Sequence, residues 1–153
     1  MTVHLFQPLQ PLAADGAALG RVLQAAGVEK GDLIRVVGPA GPIASLWLSR
    51  HGYDRAVCVR SAANPRGLPA DALLIAQPCA AEELGELIGE GAGLAGDGAL
   101  IVQTRPGHLG EGVEAVAALL RRLGFAAQRQ LNDKGRPSCI ARRVGFPTAS
   151  KAA

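Results

Sequence analysis

Hydrophobic positions along this chain follow two spacings. Short continuous apolar runs alternate with stretches in which apolar residues recur every three to four positions. Continuous runs bounded by Gly or Pro read as buried strands, and the wider spacing reads as amphipathic helix. Leu12 to Ala26 is a helix on the spacing of Leu12, Leu19, Val22 and Leu23, and Gly27 stops it. The run 31–38, GDLIRVVG, is a first strand. Pro42 to His51 is a second helix with proline in its first turn, where the missing N–H costs nothing, and Gly52 ends it. A second strand, RAVCVR at 55–60, leads into a loop over 61–70 rich in Pro, Gly and Asn. DALLIAQP at 71–78 is a third strand. Ala80 to about Leu94 follows as a helix with Leu84, Leu87 and Ile88 on one face. GDGALIVQT at 96–104 is a fourth strand, and Glu111 to Leu123 a helix stopped by Gly124. The rhythm then changes. FAAQRQL at 125–131 and SCIARRV at 138–144 flank NDKGRP, a spacing that predicts a β-hairpin rather than another crossover helix.

Strand–helix alternation with near-continuous apolar strands predicts an α/β fold. The expected architecture is a doubly wound, mostly parallel sheet of about six strands, closed by a C-terminal antiparallel hairpin. Residues 1–11 read as an extended segment, 12–145 as a single domain and 146–153 as a frayed tail. Ligands of such sheets sit beyond the carboxyl ends of the strands. That rim comprises Gly38–Gly41, Arg60, Gln77–Cys79 and Thr104–Gly107.

Composition narrows the partners. The 153 residues suit one domain, and 48% of them are hydrophobic but only 3% aromatic, so the core is aliphatic. Few rings argue against single-stranded nucleic acid, which stacks its bases on exposed aromatics. The net charge of +3 is unevenly spread: residues 33–69 carry five Arg against one Asp, and 121–143 carry six Arg and one Lys against one Asp. Residues 82–97 carry five acids and no base. Such blocks read first as solvated faces and second as a surface for an anion or a protein partner. Cys58, Cys79 and Cys139 are odd in number and lack metal-site spacing, so neither a disulfide framework nor a metal site is expected. Reduced thiols, the lack of a leader-like N-terminus and the lack of a long apolar run point to a cytoplasmic protein without membrane spans. A small molecule or another protein, including a second copy of the chain, is the expected partner.

Several segments carry a family resemblance. ADALLIAQP, the helix after it, AGDGALIVQTRPG and AVAALLRRLGFAAQRQLNDKGRPSCIARRV together resemble the fourth and fifth strands, last helix and terminal hairpin of the class I S-adenosylmethionine (SAM)-dependent methyltransferases, a Rossmann-like fold. The resemblance covers roughly residues 12–145. It implies SAM as cofactor, with Gly38, Pro39, Ala40, Gly41, Arg60 and Gln77 in the cofactor-binding positions. It also places Gln77 and Pro78 where amino-methylating members hold the substrate nitrogen.

This sequence departs from the family pattern at three places. The strand-ending acid before the glycine turn is replaced by Val36 or Val37, and VVGPAGP keeps only Gly38 and Gly41 of the turn. The acid that accepts the ribose hydroxyls is replaced by Arg60 or Ser61, and an arginine has no acceptor. The loop over 61–70 is too short for the family's intervening helix and strand. These departures predict that SAM binding and catalysis are weakened or lost.

The same rim carries residues for other chemistry. His108 stands after the fourth strand, where a general base would be placed, although a loop histidine there is more often plain surface. Cys79 is a nucleophile by position and a half-buried thiol by frequency. Trp47 reads as core before it reads as a ring for cofactor stacking. Two alternatives stay open beside the methyltransferase-like reading. One is an NAD(P)- or FAD-binding domain, since VVGPAGP also resembles the GxGPAG turn of those enzymes with the first glycine missing at Val36. The other is a non-catalytic interaction module.

Overall fold

The computed structural model describes residues 9–59, 69–76, 81–88, 93–103, 112–133 and 136–144. Ten elements follow in chain order. They are α1 (Leu9–Ala25), β1 (Ile34–Val37), α2 (Gly41–Arg50), β2 (Ala56–Cys58), β3 (Ala70–Ile75), α3 (Ala81–Ile88), β4 (Leu94–Gln103), α4 (Gly112–Arg122), β5 (Phe125–Asp133) and β6 (Arg136–Arg143). The six strands form one sheet in the order β2-β1-β3-β4-β6-β5. The first four run parallel, and β6 enters antiparallel between β4 and β5. The expected doubly wound sheet with a closing hairpin is therefore present.

Each face of the sheet has its own core. The upper face packs Leu19, Val22 and Leu23 of α1 and Ala44 and Leu48 of α2 onto Ile34, Val36, Leu74, Ile101 and Ile140. Its lower face packs Leu84 and Ile88 of α3 and Leu120 of α4 onto Val37, Leu73, Ile75, Leu100, Val102 and Phe125. Strands buried on both sides explain why their sequences read as unbroken apolar runs. Gly27, Gly52 and Gly124 follow α1, α2 and α4 with positive φ, as the helix-stop reading expects.

Several boundaries differ from those expected. The helix α1 starts at Leu9, so residues 9–11 are not extended; Pro11 lies in its first turn, where a helix tolerates proline. Ile88 is the last described residue of α3, and Leu94 belongs to β4 rather than to that helix. The hairpin strands run further than their apolar runs, with Asp133 paired to Arg136, so the loop between them is residues 134–135 rather than 132–137. Backbone pairing continues a ladder where side-chain patterning has already turned polar. The tail 146–153 lies outside the described residues. No helix among the described residues is long and apolar enough to cross a membrane.

The first half of the sheet is short. Only residues 59–69 separate β2 from β3, and β2 is the outermost strand on its side. Val57 on β2 stays 46% exposed as a result. Arg35 is the exception among buried strand residues: it is 4% exposed and its guanidinium donates to the carbonyl of Gly93 at 2.6 Å. It lies on the lower face, in register with Leu73.

Candidate functional site

The carboxyl ends of β1, β2 and β3 meet at the turn between β1 and α2. Gly38, Pro39, Ala40 and Gly41 are brought together there. The turn is laced to the end of β3: Ala76 N–H donates to Val37 O at 2.7 Å, and Ala40 N–H donates to Ala76 O at 3.3 Å. Gly41 N–H donates back to Gly38 O at 3.0 Å. Gly38 has φ of 108°, and a Cβ built on it would stand 2.5 Å from Ala76 O, so this residue must be glycine for the two strands to approach. A Cβ on Gly41 would stand 3.1 Å from Cys58 Sγ. Both glycines are thus accounted for by contacts within the chain.

What this leaves for a ligand is little. A helix N-terminus attracts anions when its first amides point outward. Here Pro39 and Pro42 have no amide, and the amides of Ala40 and Gly41 are already bonded within the turn. Ala40, the residue before α2, makes no side-chain cap. Over residues 39–42, then, the loop offers no donor, and these residues do not fit a cofactor that must be held by backbone amides. Val36, where the dinucleotide pattern needs a glycine, is fully buried in the upper core.

Arg60, Gln77, Pro78, Cys79 and His108 lie outside the described residues. Trp47 is half-buried against the upper core and stacks on His51 with ring centroids 3.9 Å apart. His51 Nδ1 lies 2.8 Å from the Trp47 carbonyl, so this pair finishes α2 rather than facing the rim. Two features were not singled out from sequence. Cys58 carries an exposed free thiol beside Gly41 at the rim, and Arg35 is buried with its guanidinium on Gly93, at the opposite, amino-terminal end of the sheet. The signal for Arg35 was present as the one charge inside an apolar strand. No group of three or more His, Cys, Asp and Glu is placed to hold a metal among the described residues.

No family model and no curated protein matches the sequence. Solved structures do match in shape. Phosphoethanolamine N-methyltransferase 2 of Haemonchus contortus, solved in complex with SAM, superposes with a TM-score of 0.62 at 14% identity over 88% of this chain and 38% of its own. The ribosomal protein L11 methylase of Lactobacillus delbrueckii subsp. bulgaricus gives 0.59 at 15% identity over 84% of this chain and 76% of its own. The pyocyanin biosynthetic protein PhzM gives 0.56 at 16% identity over 74% and 51%. The chain spans only about half of PhzM and less of the Haemonchus enzyme. At such identities the likeness concerns the fold. By that likeness, together with its strand order and terminal hairpin, this chain has a class I SAM-dependent methyltransferase-like fold, shortened after its second strand.

Proposed function

We propose that this chain is a methyltransferase-like domain that has lost effective cofactor binding and works by binding rather than by methyl transfer. The observation that carries the reading is the turn at residues 38–41, in which the amides of Ala40 and Gly41 are bonded to Ala76 and Gly38 and Pro39 has no amide. The replacement of the ribose-binding acid by Arg60 or Ser61 adds to it. Each lost charged or amide contact to a buried cofactor is worth about 1–3 kcal/mol, so two together move a micromolar site toward millimolar. The same closed turn, with Val36 in the core, disfavours NAD(P) or FAD.

Thermal melting of the purified chain tests this. A ligand at about 100 times its dissociation constant adds about 2.7 kcal/mol, or several degrees at this chain length. With SAM, S-adenosylhomocysteine, NADP or FAD at about 1 mM, the expected shift is within error. A clear upward shift with S-adenosylhomocysteine would restore the SAM-binding reading, and one with NADP or FAD alone would move the chain to the dinucleotide class.

The partners within this proposal are a small molecule, another protein or a second copy of the chain. Val57, half-exposed on the outermost strand, favours self-association. Light scattering that finds only monomer at every concentration removes that partner. The cytoplasm is the proposed location, on the strength of the free thiols at Cys58 and Cys139.

A further inference from the structure

A cavity of about 420 Å³ opens on the upper face, away from the rim turn, between α1 and the hairpin. Its size falls within the roughly 300–1,000 Å³ typical of small-ligand sites. One wall is a single stripe of α1, in which Ala18, Arg21, Val22 and Ala25 follow one another at i, i+3, i+4 and i+7. The opposite wall is Arg129 and Leu131 of β5 with Ser138 of β6. Val22 and Ser138 are buried, whereas Arg21 and Arg129 are exposed. Among the described residues that line the cavity none is acidic.

The hairpin places Arg129 here by an irregularity. Pairing runs Ala127 to Ala141 and then jumps to Arg129 with Ile140, leaving Gln128 as an extra residue. Without that extra residue Arg129 would pair with Cys139, which belongs to the lower core. The bulge turns Arg129 to the upper face, in line with Leu131, Ser138 and Ile140. Bulges commonly re-aim a side chain next to a binding site.

We propose that this cavity binds a small organic acid, its carboxylate held between Arg21 and Arg129 and its apolar body laid over Val22 and Leu131. Arginine forks match a carboxylate in geometry and in charge, and the other described lining residues, Ser138 apart, are apolar. Ser138 supplies a hydroxyl at the buried end. The inference concerns a different face from the rim turn and stands whether or not that turn binds a cofactor.

The test is an NMR titration of the full-length ¹⁵N-labelled chain with octanoate, its neutral isostere octanamide and inorganic phosphate, each to about 10 mM, a weak-affinity range. Octanoate is expected to shift the amides of Val22, Ala25, Arg129, Leu131 and Ser138, and to bind about tenfold or more tightly than either comparison ligand, as a charge-assisted contact plus apolar burial requires. The double variant Arg21→Gln with Arg129→Gln is expected to lose about tenfold or more in octanoate affinity. Both residues are exposed, so the variant should stay folded, its melting point lowered by no more than the loss of surface contacts brings. Octanamide or phosphate binding as tightly as octanoate, an unaffected double variant, or an absence of octanoate shifts at these amides would each overturn the proposal.

Discussion

The two halves of the sheet use their polar groups in opposite ways. In the β2-β1-β3 half they turn inward: Arg35 is buried on Gly93, and the Ala40 and Gly41 amides of the rim turn are bonded to Ala76 and Gly38. Asp71 likewise spends a carboxylate oxygen on Leu33 N–H at 2.8 Å. In the β4-β6-β5 half the cations turn outward. Arg121, Arg122 and Arg129 are exposed, and Arg142 caps carbonyls at the molecular margin, donating to Ala26 O and Asp97 O. The first half therefore commits these polar groups to holding the shortened fold together. The second, Arg142 and Arg143 apart, leaves its arginines on α4 and β5 at a surface where a ligand can meet them. A position that binds cofactor in a fold family need not be the position that binds in a member that has closed it.

The closed turn is the strongest point of the contrast, and Gly38→Ala attacks it directly. At φ of 108° any side chain is strained, and the added Cβ would lie 2.5 Å from a backbone oxygen that cannot swing away. The expected loss is about 3–5 kcal/mol, among the larger effects of a single methyl group. Urea unfolding reads it as a lower midpoint at unchanged slope. A loss under about 1 kcal/mol would mean that the turn is not locked on Ala76 and that its amides are open to a cofactor.

Arginine substitutions compare the halves at equal chemistry. Arg35→Met keeps most of the apolar stem but leaves the Gly93 carbonyl without this donor, at a cost of about 1–3 kcal/mol. The same change at exposed Arg129 should stay within about 0.5 kcal/mol. Parallel denaturation curves decide the matter. Equal effects at both sites would remove the distinction between inward and outward polar groups.

Much of this was legible in the sequence because both faces of the sheet are covered. Double burial makes Ile34–Val37 and Leu73–Ile75 read as strands, and the glycines at 27, 52 and 124 mark where helices end. The hairpin was visible from its spacing. Its bulge was not, since a register shift at Gln128 depends on which residue faces which across the ladder. The groove at Arg129 follows from that shift and was missed for the same reason. Nor does GPAGP reveal whether its amides face a ligand or the chain; the acceptor that decides it is Ala76 O, set by strand packing far along the sequence. Arg35 in an apolar run was visible, but the carbonyl that receives it lies 58 residues away.

A smaller effect probes the dry side of the hairpin. Cys139 is 6% exposed in the lower core, and burial pushes its thiol up from the usual value of 9.0 by disfavouring the thiolate. Its folded pKa thus exceeds its unfolded one. Well below pH 9.0 both states hold the proton and stability does not depend on this group. As pH rises past that value the unfolded chain loses the proton first, binds fewer protons than the folded chain, and folding stability falls. The slope for one thiol is at most about 1.4 kcal/mol per pH unit. Chemical denaturation between about pH 8 and pH 10.5 should show the decline in the parent and a shallower one in Cys139→Ala, whose baseline is lowered by the lost packing. Iodoacetamide gives the matching chemical readout, modifying exposed Cys58 in the folded protein while Cys139 reacts only on unfolding. Identical pH slopes in parent and variant, or prompt alkylation of Cys139 in the folded chain, would mean that water reaches the lower face of the hairpin. The outward placement of polar groups in that half would then no longer imply a dry interior beneath them.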